Sequence, residues 1–194
     1  MIKTGIVLVF LFVFLQPFFG QDHTNVKWGI STNLPMYVIV SPNLKAEIYF
    51  EKQFVLSTGG SYGWWGFDWD KKRRLQQWSV NLDGNYYFKD DESFTKHRIG
   101  LSLQTGQFDR KKNENARRGH FSTVGLLYGY TWKLRENLYL DAGLGFGYIY
   151  KHYHKYFFSV EDGRYCCAYH EAEHRGGITN LNVSLVYRFP QKSK

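Results

Sequence analysis

Two groups of residues in this 194-residue chain are of types that can do chemistry. His120-Phe121-Ser122 sets an imidazole and a hydroxyl two residues apart. On a strand that spacing places both on one face, where the imidazole can take the proton of a Ser nucleophile. This is acyl-transfer chemistry, and it needs an acidic residue to orient the imidazole. Asp109 and Glu114 are the nearby carboxylates. The second group is His152, His154, Cys166, Cys167, His170 and His174, the side chains that ligate zinc and related ions. A four-residue His spacing suits two ligands on one helical turn. Adjacent cysteines suit a tetrahedral site poorly, because ligand cysteines are usually two to four residues apart. Cys166 and Cys167 are also open to a vicinal disulfide in an oxidising compartment, or to free or intermolecular thiol states. The leading reading gives neither group a catalytic or metal-binding role: His120 and Ser122 also read as ordinary interfacial residues, and no cofactor is implied.

The elements that must position these residues are strands. Leu138, Leu140, Ala142, Leu144, Phe146, Tyr148 and Tyr150 alternate with Tyr139, Asp141, Gly143, Gly145, Gly147, Ile149 and Lys151. Successive strand side chains point to opposite faces, so one face is apolar over its whole length. The pattern predicts eight strands: Val26 to Asn33, Asn43 to Glu51, Phe54 to Trp64, Leu75 to Phe88, His97 to Phe108, His120 to Leu134, Leu138 to Lys151 and Gly177 to Phe189. Connections at 51–54, 89–96 and 135–137 are short and charged, whereas those at 34–42, 65–74, 109–119 and 152–176 are longer. Short turns at one end and long loops at the other are the outer-membrane arrangement. The expected fold is therefore all-β: an eight-stranded antiparallel up-and-down transmembrane β-barrel with short periplasmic turns and long extracellular loops.

Aromatic residues make up 19% of the chain, and so dense a set needs an apolar partner. Trp64, Trp65, Trp69, Trp78, Tyr86, Phe88, Tyr128, Tyr130, Trp132, Tyr148 and Tyr150 gather near strand ends, as in paired interfacial girdles. The polar face carries Lys27, Lys45, Glu47, Asp83, Arg98, Asp141 and Arg188. An eight-stranded barrel is wide enough only for side chains to fill it, so these charges must pair inside a plugged lumen. Alternation alone does not say which face is inside. A soluble lipocalin-like barrel would turn the apolar face inward around a ligand.

Residues 1–20 carry Lys3, an apolar run from Gly5 to Leu15, then Phe18, Phe19 and Gly20. This reads as a secretory signal peptide cut between Gly20 and Gln21, leaving 21–194 as the barrel domain. The net charge is +8, or +7 once Lys3 is removed. The basic residues form no single stripe, which argues against nucleic acid, and lipopolysaccharide at the outer membrane of a Gram-negative cell is the more economical partner. Binding residues concentrate on loops held by rigid scaffolds. Trp65, Trp69, Lys71, Lys72, Arg73 and Arg74 are accordingly the expected contacts for a surface protein partner.

The run from Lys27 to Leu34, then Ser41-Pro42-Asn43-Leu44 with Glu47, resembles the opening of an uncharacterised family of small outer-membrane barrels of Bacteroidota, eight-stranded and OmpA/OmpX-like. The Trp-rich hairpin at 62–78, Gly129-Tyr130-Thr131-Trp132 and Gly145-Phe146-Gly147-Tyr148 continue the resemblance over nearly the whole mature chain. It implies a barrel sometimes linked with fimbrial or surface-assembly genes, and it implies no reaction. The adjacent Cys166 and Cys167 depart from the spaced pair seen in the last loop of that family. The leading expectation is thus a non-enzymatic outer-membrane barrel with a structural or surface-interaction role. The alternatives are a lipid A deacylase-like hydrolase using His120 and Ser122, whose local motif is similar to that of such enzymes, and a soluble ligand-binding barrel.

Overall fold

The computed structural model describes residues 27–38, 40–50, 53–66, 73–88, 94–112, 115–159 and 164–189. The expected signal peptide at 1–20, its cleavage bond and Val26 lie outside the described residues. Eight strands follow one another: β1 (Lys27–Asn33), β2 (Asn43–Phe50), β3 (Phe54–Gly66), β4 (Arg73–Tyr87), β5 (Lys96–Lys112), β6 (Asn115–Lys133), β7 (Leu138–Ser159) and β8 (Arg164–Arg188). Each pairs antiparallel with its neighbour, and β1 pairs with β8 to close the barrel. A single helical turn, α1 (Pro35–Val38), lies in the β1–β2 connection.

The register fixes which face is inside. Ser31, Tyr49, Ser57, Asp83, Arg98, Ser102, Thr131, Asp141, Asn182, Ser184 and Arg188 are buried, and their sequence neighbours point outward. The outward set is aliphatic in the middle: Leu101, Leu103, Val124, Leu126, Phe146 and Leu181 are all exposed, Leu126 by 63%. Polar side chains therefore fill the barrel and apolar ones clothe it, the reverse of the orientation a ligand-binding barrel of lipocalin type requires.

Aromatic rings bound this band at both ends. Towards the short turns lie Trp28, Phe54, Phe88, Tyr128, Trp132, Tyr187 and Phe189; towards the long connections lie Tyr62, Trp64, Trp78 and Tyr148, all of them exposed. Leu138 and Tyr148 mark its limits on β7. Ten steps of about 3.4 Å, tilted by about 40°, rise roughly 26 Å.

Two expected loops are strands instead. Residues 109–112 and 115–119 continue β5 and β6, paired out to Lys112 opposite Asn115. Residues 152–159 and 164–176 continue β7 and β8, paired out to Ser159 opposite Arg164. Apolar alternation ends near Tyr150, which is why the sequence suggests loops there. Backbone pairing does not need an apolar face once both faces meet water, and the aromatic residues at 153, 156 and 157 suit strands. Register shifts between Gly145 and Phe146, and between Lys155 and Phe157, mark bulges that bend the long hairpin. β1 meets β8 only from Ser184 to Arg188, so the outer part of β8 has no β1 partner.

Candidate functional site

The barrel interior holds the first cluster of polar residues. Arg98 on β5 donates from Nε to Asp141 Oδ1 at 2.8 Å and from Nη2 to Asp141 Oδ2 at 2.6 Å. Its third nitrogen reaches Asn85 Oδ1 at 2.5 Å. Asp141 also accepts from Thr131 at 2.7 Å and Asn182 at 2.5 Å. A second pair joins Lys45 Nζ to Asp83 Oδ2 at 2.8 Å, and Asp83 accepts further bonds from Asn81 and Ser102. Both carboxylates are thus saturated, as buried charges require. Glu47 takes the Tyr49 hydroxyl. Arg188 lies 3.7 Å from the Tyr139 ring centre and 4.6 Å from that of Tyr49, and donates to Phe94 O at 2.9 Å. Lys27 stands at the short-turn rim, opposite Tyr49 in the register.

Phe94 is the contributor that sequence reasoning missed. It belongs to a short charged connection, yet it is 1% exposed and packs on Tyr49 and Tyr87 at centroid distances of 4.9 and 5.8 Å. It caps the lumen at the short-turn end. The space left between Lys45, Glu47, Asp83, Arg98, Asp141 and Asn182 admits the centres of water molecules over about 30 Å³. That is enough for two or three waters at roughly 10–15 Å³ each, so polar side chains fill most of the interior among the described residues.

The second cluster lies beyond the aromatic limit, on the outer faces of the extended hairpins. The register sets His120 opposite His152 and His154 opposite His170. Ring centres are 4.1 Å apart for His154 and His170, 5.9 Å for His152 and His154, and 6.4 Å for His152 and His170. Packing against its neighbours, and then the facing imidazoles of His170, His152 and His120, push the His154 pKa below its ordinary 6.5. His174, which the sequence grouped with these, stands apart: its ring packs on Tyr150 and its Nδ1 bonds the Tyr148 hydroxyl. Its four-residue spacing from His170 is a strand spacing, so no helical turn brings the two together. On the inner face of the same hairpin Glu171 accepts from Lys155 and from Tyr153 at 2.8 Å. The Lys155 bond, then the Tyr153 bond, holds the Glu171 carboxyl below the usual range, and the same bond raises the Tyr153 hydroxyl.

His120 and Ser122 lie on one face of β6, and both are exposed. The Ser122 hydroxyl pairs with Thr105 at 3.1 Å, and among the described residues no hydrogen bond joins it to His120. Asp109 lies opposite Arg118, and Glu114 lies outside the described residues. Trp69, Lys71 and Lys72 are outside them too. Trp65, Arg73 and Arg74 are placed by backbone only, Trp65 opposite Leu75, Arg74 opposite Gly66 and Arg73 opposite Lys112. Cys166 likewise is placed by backbone on β8, opposite Phe157, with Cys167 next to it; their side chains are outside the description. Among the described residues no group of three or more His, Cys, Asp or Glu side chains stands arranged around one point as metal ligands would.

A closed eight-stranded up-and-down ring with a polar, filled interior and an apolar exterior defines the class of protein. Within it, the chain belongs to the family described as "Protein of unknown function (DUF3575)", whose model matches residues 6–189. No curated protein and no solved structure matches the chain.

Proposed function

We propose that this chain is a non-enzymatic outer-membrane β-barrel that holds its extended hairpins above the bilayer in a structural or surface-interaction role, such as surface or fimbrial assembly. The observation that carries this reading is the exposed aliphatic band between two aromatic belts, wrapped around a polar core. Water tolerates scattered apolar side chains but not a continuous belt of them. A bilayer core calls for such a belt, about 25 Å tall in bacterial barrels, and for a sheet with no open edge at that depth. The short turns and both strand termini then face the periplasm, and the β3–β4, β5–β6 and β7–β8 hairpins face outward. Lipid and lipopolysaccharide surround the band. The β3–β4 hairpin, with Trp65, Trp69, Lys71, Lys72, Arg73 and Arg74, is offered to a surface protein partner.

The test is fractionation of cells expressing the full chain, followed by gel mobility of the detergent-extracted protein before and after boiling. Recovery in the outer-membrane fraction with a heat-dependent shift is expected. Release in soluble form without a shift would overturn the membrane reading.

A further inference from the structure

We infer that His152, His154 and His170 form a surface site for one divalent transition-metal ion of the Zn²⁺, Ni²⁺ or Cu²⁺ class. The site would tie β7 to β8 above the membrane. Strand geometry brings the three together: His152 and His154 share one face of β7, and the register sets His170 beside His154 on β8. Two imidazoles on one tetrahedral ion at about 2.0–2.1 Å have ring centres roughly 5 Å apart. The three separations here, 4.1, 5.9 and 6.4 Å, bracket that value.

The rings do not yet converge. His154 and His170 stand edge to face, with 60° between their planes, so an ion requires rotation about the side-chain bonds. Among the described residues no hydrogen bond or ion pair holds these three side chains, although His154 stacks with Tyr156; His170 is exposed and His152 and His154 are half-buried. Imidazole ligates in its neutral form, so uptake should fall as the pH is lowered. The positions next to His154 and His152 on β6 are held by Arg118 and His120. Arg118 crowds that side with a cation, whereas His120 offers a further imidazole there. Ala172, opposite His152 on β8, leaves the other side open for water as a fourth ligand. Three imidazoles with no carboxylate select borderline ions over Mg²⁺ and Ca²⁺, which prefer oxygen.

The test uses the full mature chain in detergent micelles, without a polyhistidine tag, titrated with Ni²⁺ and separately with Zn²⁺ at pH 7.5. One ion per chain is expected, and uptake should persist in Cys166→Ser/Cys167→Ser. His154→Ala and His170→Ala should each weaken binding at least about tenfold, and His174→Ala should leave it unchanged. Should either alanine variant lose the heat-dependent gel shift, the wild-type protein carries the test. Bound Ni²⁺ must then protect His154 and His170 from acylation by diethyl pyrocarbonate while leaving His174 reactive. Absence of saturable uptake would overturn the site. So would uptake that survives both alanine variants, that disappears with the cysteines, or that gives no protection. The gel shift separates these results from failure of the barrel reading, which they do not touch.

Discussion

Arg98 and Asp141 sit on strands that are not neighbours, and they meet over Gly129 on the strand between. The register aligns Arg98 with Gly129, and Gly129 with Gly143. A Cβ at Gly129 would lie 3.0 Å from Arg98 Cζ and 2.8 Å from the Ala142 carbonyl. Glycine there leaves the guanidinium a path across β6 to the carboxylate.

Removing one partner of this pair leaves the other charge buried, since the Arg98 and Asp141 side chains are 6% and 10% exposed. Asp141→Ala and Arg98→Ala should each cost about 3–5 kcal/mol, read as a lower midpoint for urea unfolding in micelles. Arg98→Ala/Asp141→Ala should cost clearly less than the sum of the two single changes. Additive losses would show that the two residues act separately.

Two glycines of the same sheet should respond in opposite ways. Gly129→Val drives branched carbons into the Arg98 path and should lower the unfolding midpoint by the equivalent of about 2–4 kcal/mol. Gly84 faces outward with nothing within 4 Å of an added Cβ, so Gly84→Ala should stay within about 0.5 kcal/mol of wild type. Equal effects at both positions would be inconsistent with this packing.

The membrane reading predicts a depth profile. Leu126, in the middle of the outer face of β6, should cost roughly 2–4 kcal/mol as Leu126→Lys, whereas Ser122→Lys, close to the outer limit, should cost no more than about 1 kcal/mol. Refolding into lipid vesicles with a urea titration measures both. A flat profile would mean that the band does not lie in lipid.

The outer β7–β8 hairpin should loosen as acid is added, in two stages. His154 has a lowered pKa when folded, so the unfolded hairpin binds more protons and stability falls as pH drops below 6.5. Glu171 is also lowered, from an ordinary 4.5, and its contribution, full above that value, is lost as pH falls through the folded one. Amide hydrogen exchange across 152–156 and 169–174 at pH 7.5, 6 and 4 should show protection falling at each step. Glu171→Gln should remove the second stage and leave the first.

Lipid A from cells with and without the gene should have the same acyl pattern by mass spectrometry, because Ser122 is bonded to Thr105 and not to His120. Acyl loss that depends on Ser122 would restore the hydrolase alternative.

All eight strands and their two faces are legible in the sequence wherever an apolar face alternates with a polar one, as between Leu138 and Tyr150. The buried charges Asp83, Arg98, Asp141 and Arg188 are legible as polar-face residues, but their pairing is not. Which of Asp83 and Asp141 receives Arg98 depends on the barrel's stagger, set by hydrogen-bond register across strands far apart in sequence. The outer parts of β7 and β8 are hidden because His152, His154, Glu171 and Glu173 give polar residues on both faces. Phe94 is hidden for another reason: a turn residue has no periodicity, and it adopts φ 46°, where bulky side chains are uncommon. The imidazole cluster is half legible: the sequence groups His152, His154 and His170 in one loop with His174, whereas paired strands gather them with His120.

The short β1–β8 junction also bears on how the chain reaches its final form. Its outer end is stitched by the Asn33 side chain, which donates to Leu181 O at 2.9 Å and accepts from Val183 N at 3.0 Å, across 150 positions of sequence in the latter case. Hairpins between consecutive strands can form locally, but this contact must wait until the rest of the sheet has curled round, because distant closure carries its entropic cost before any contact rewards it. The ring is therefore a zip that fastens last at its least overlapped place, and Asn33 is the clasp.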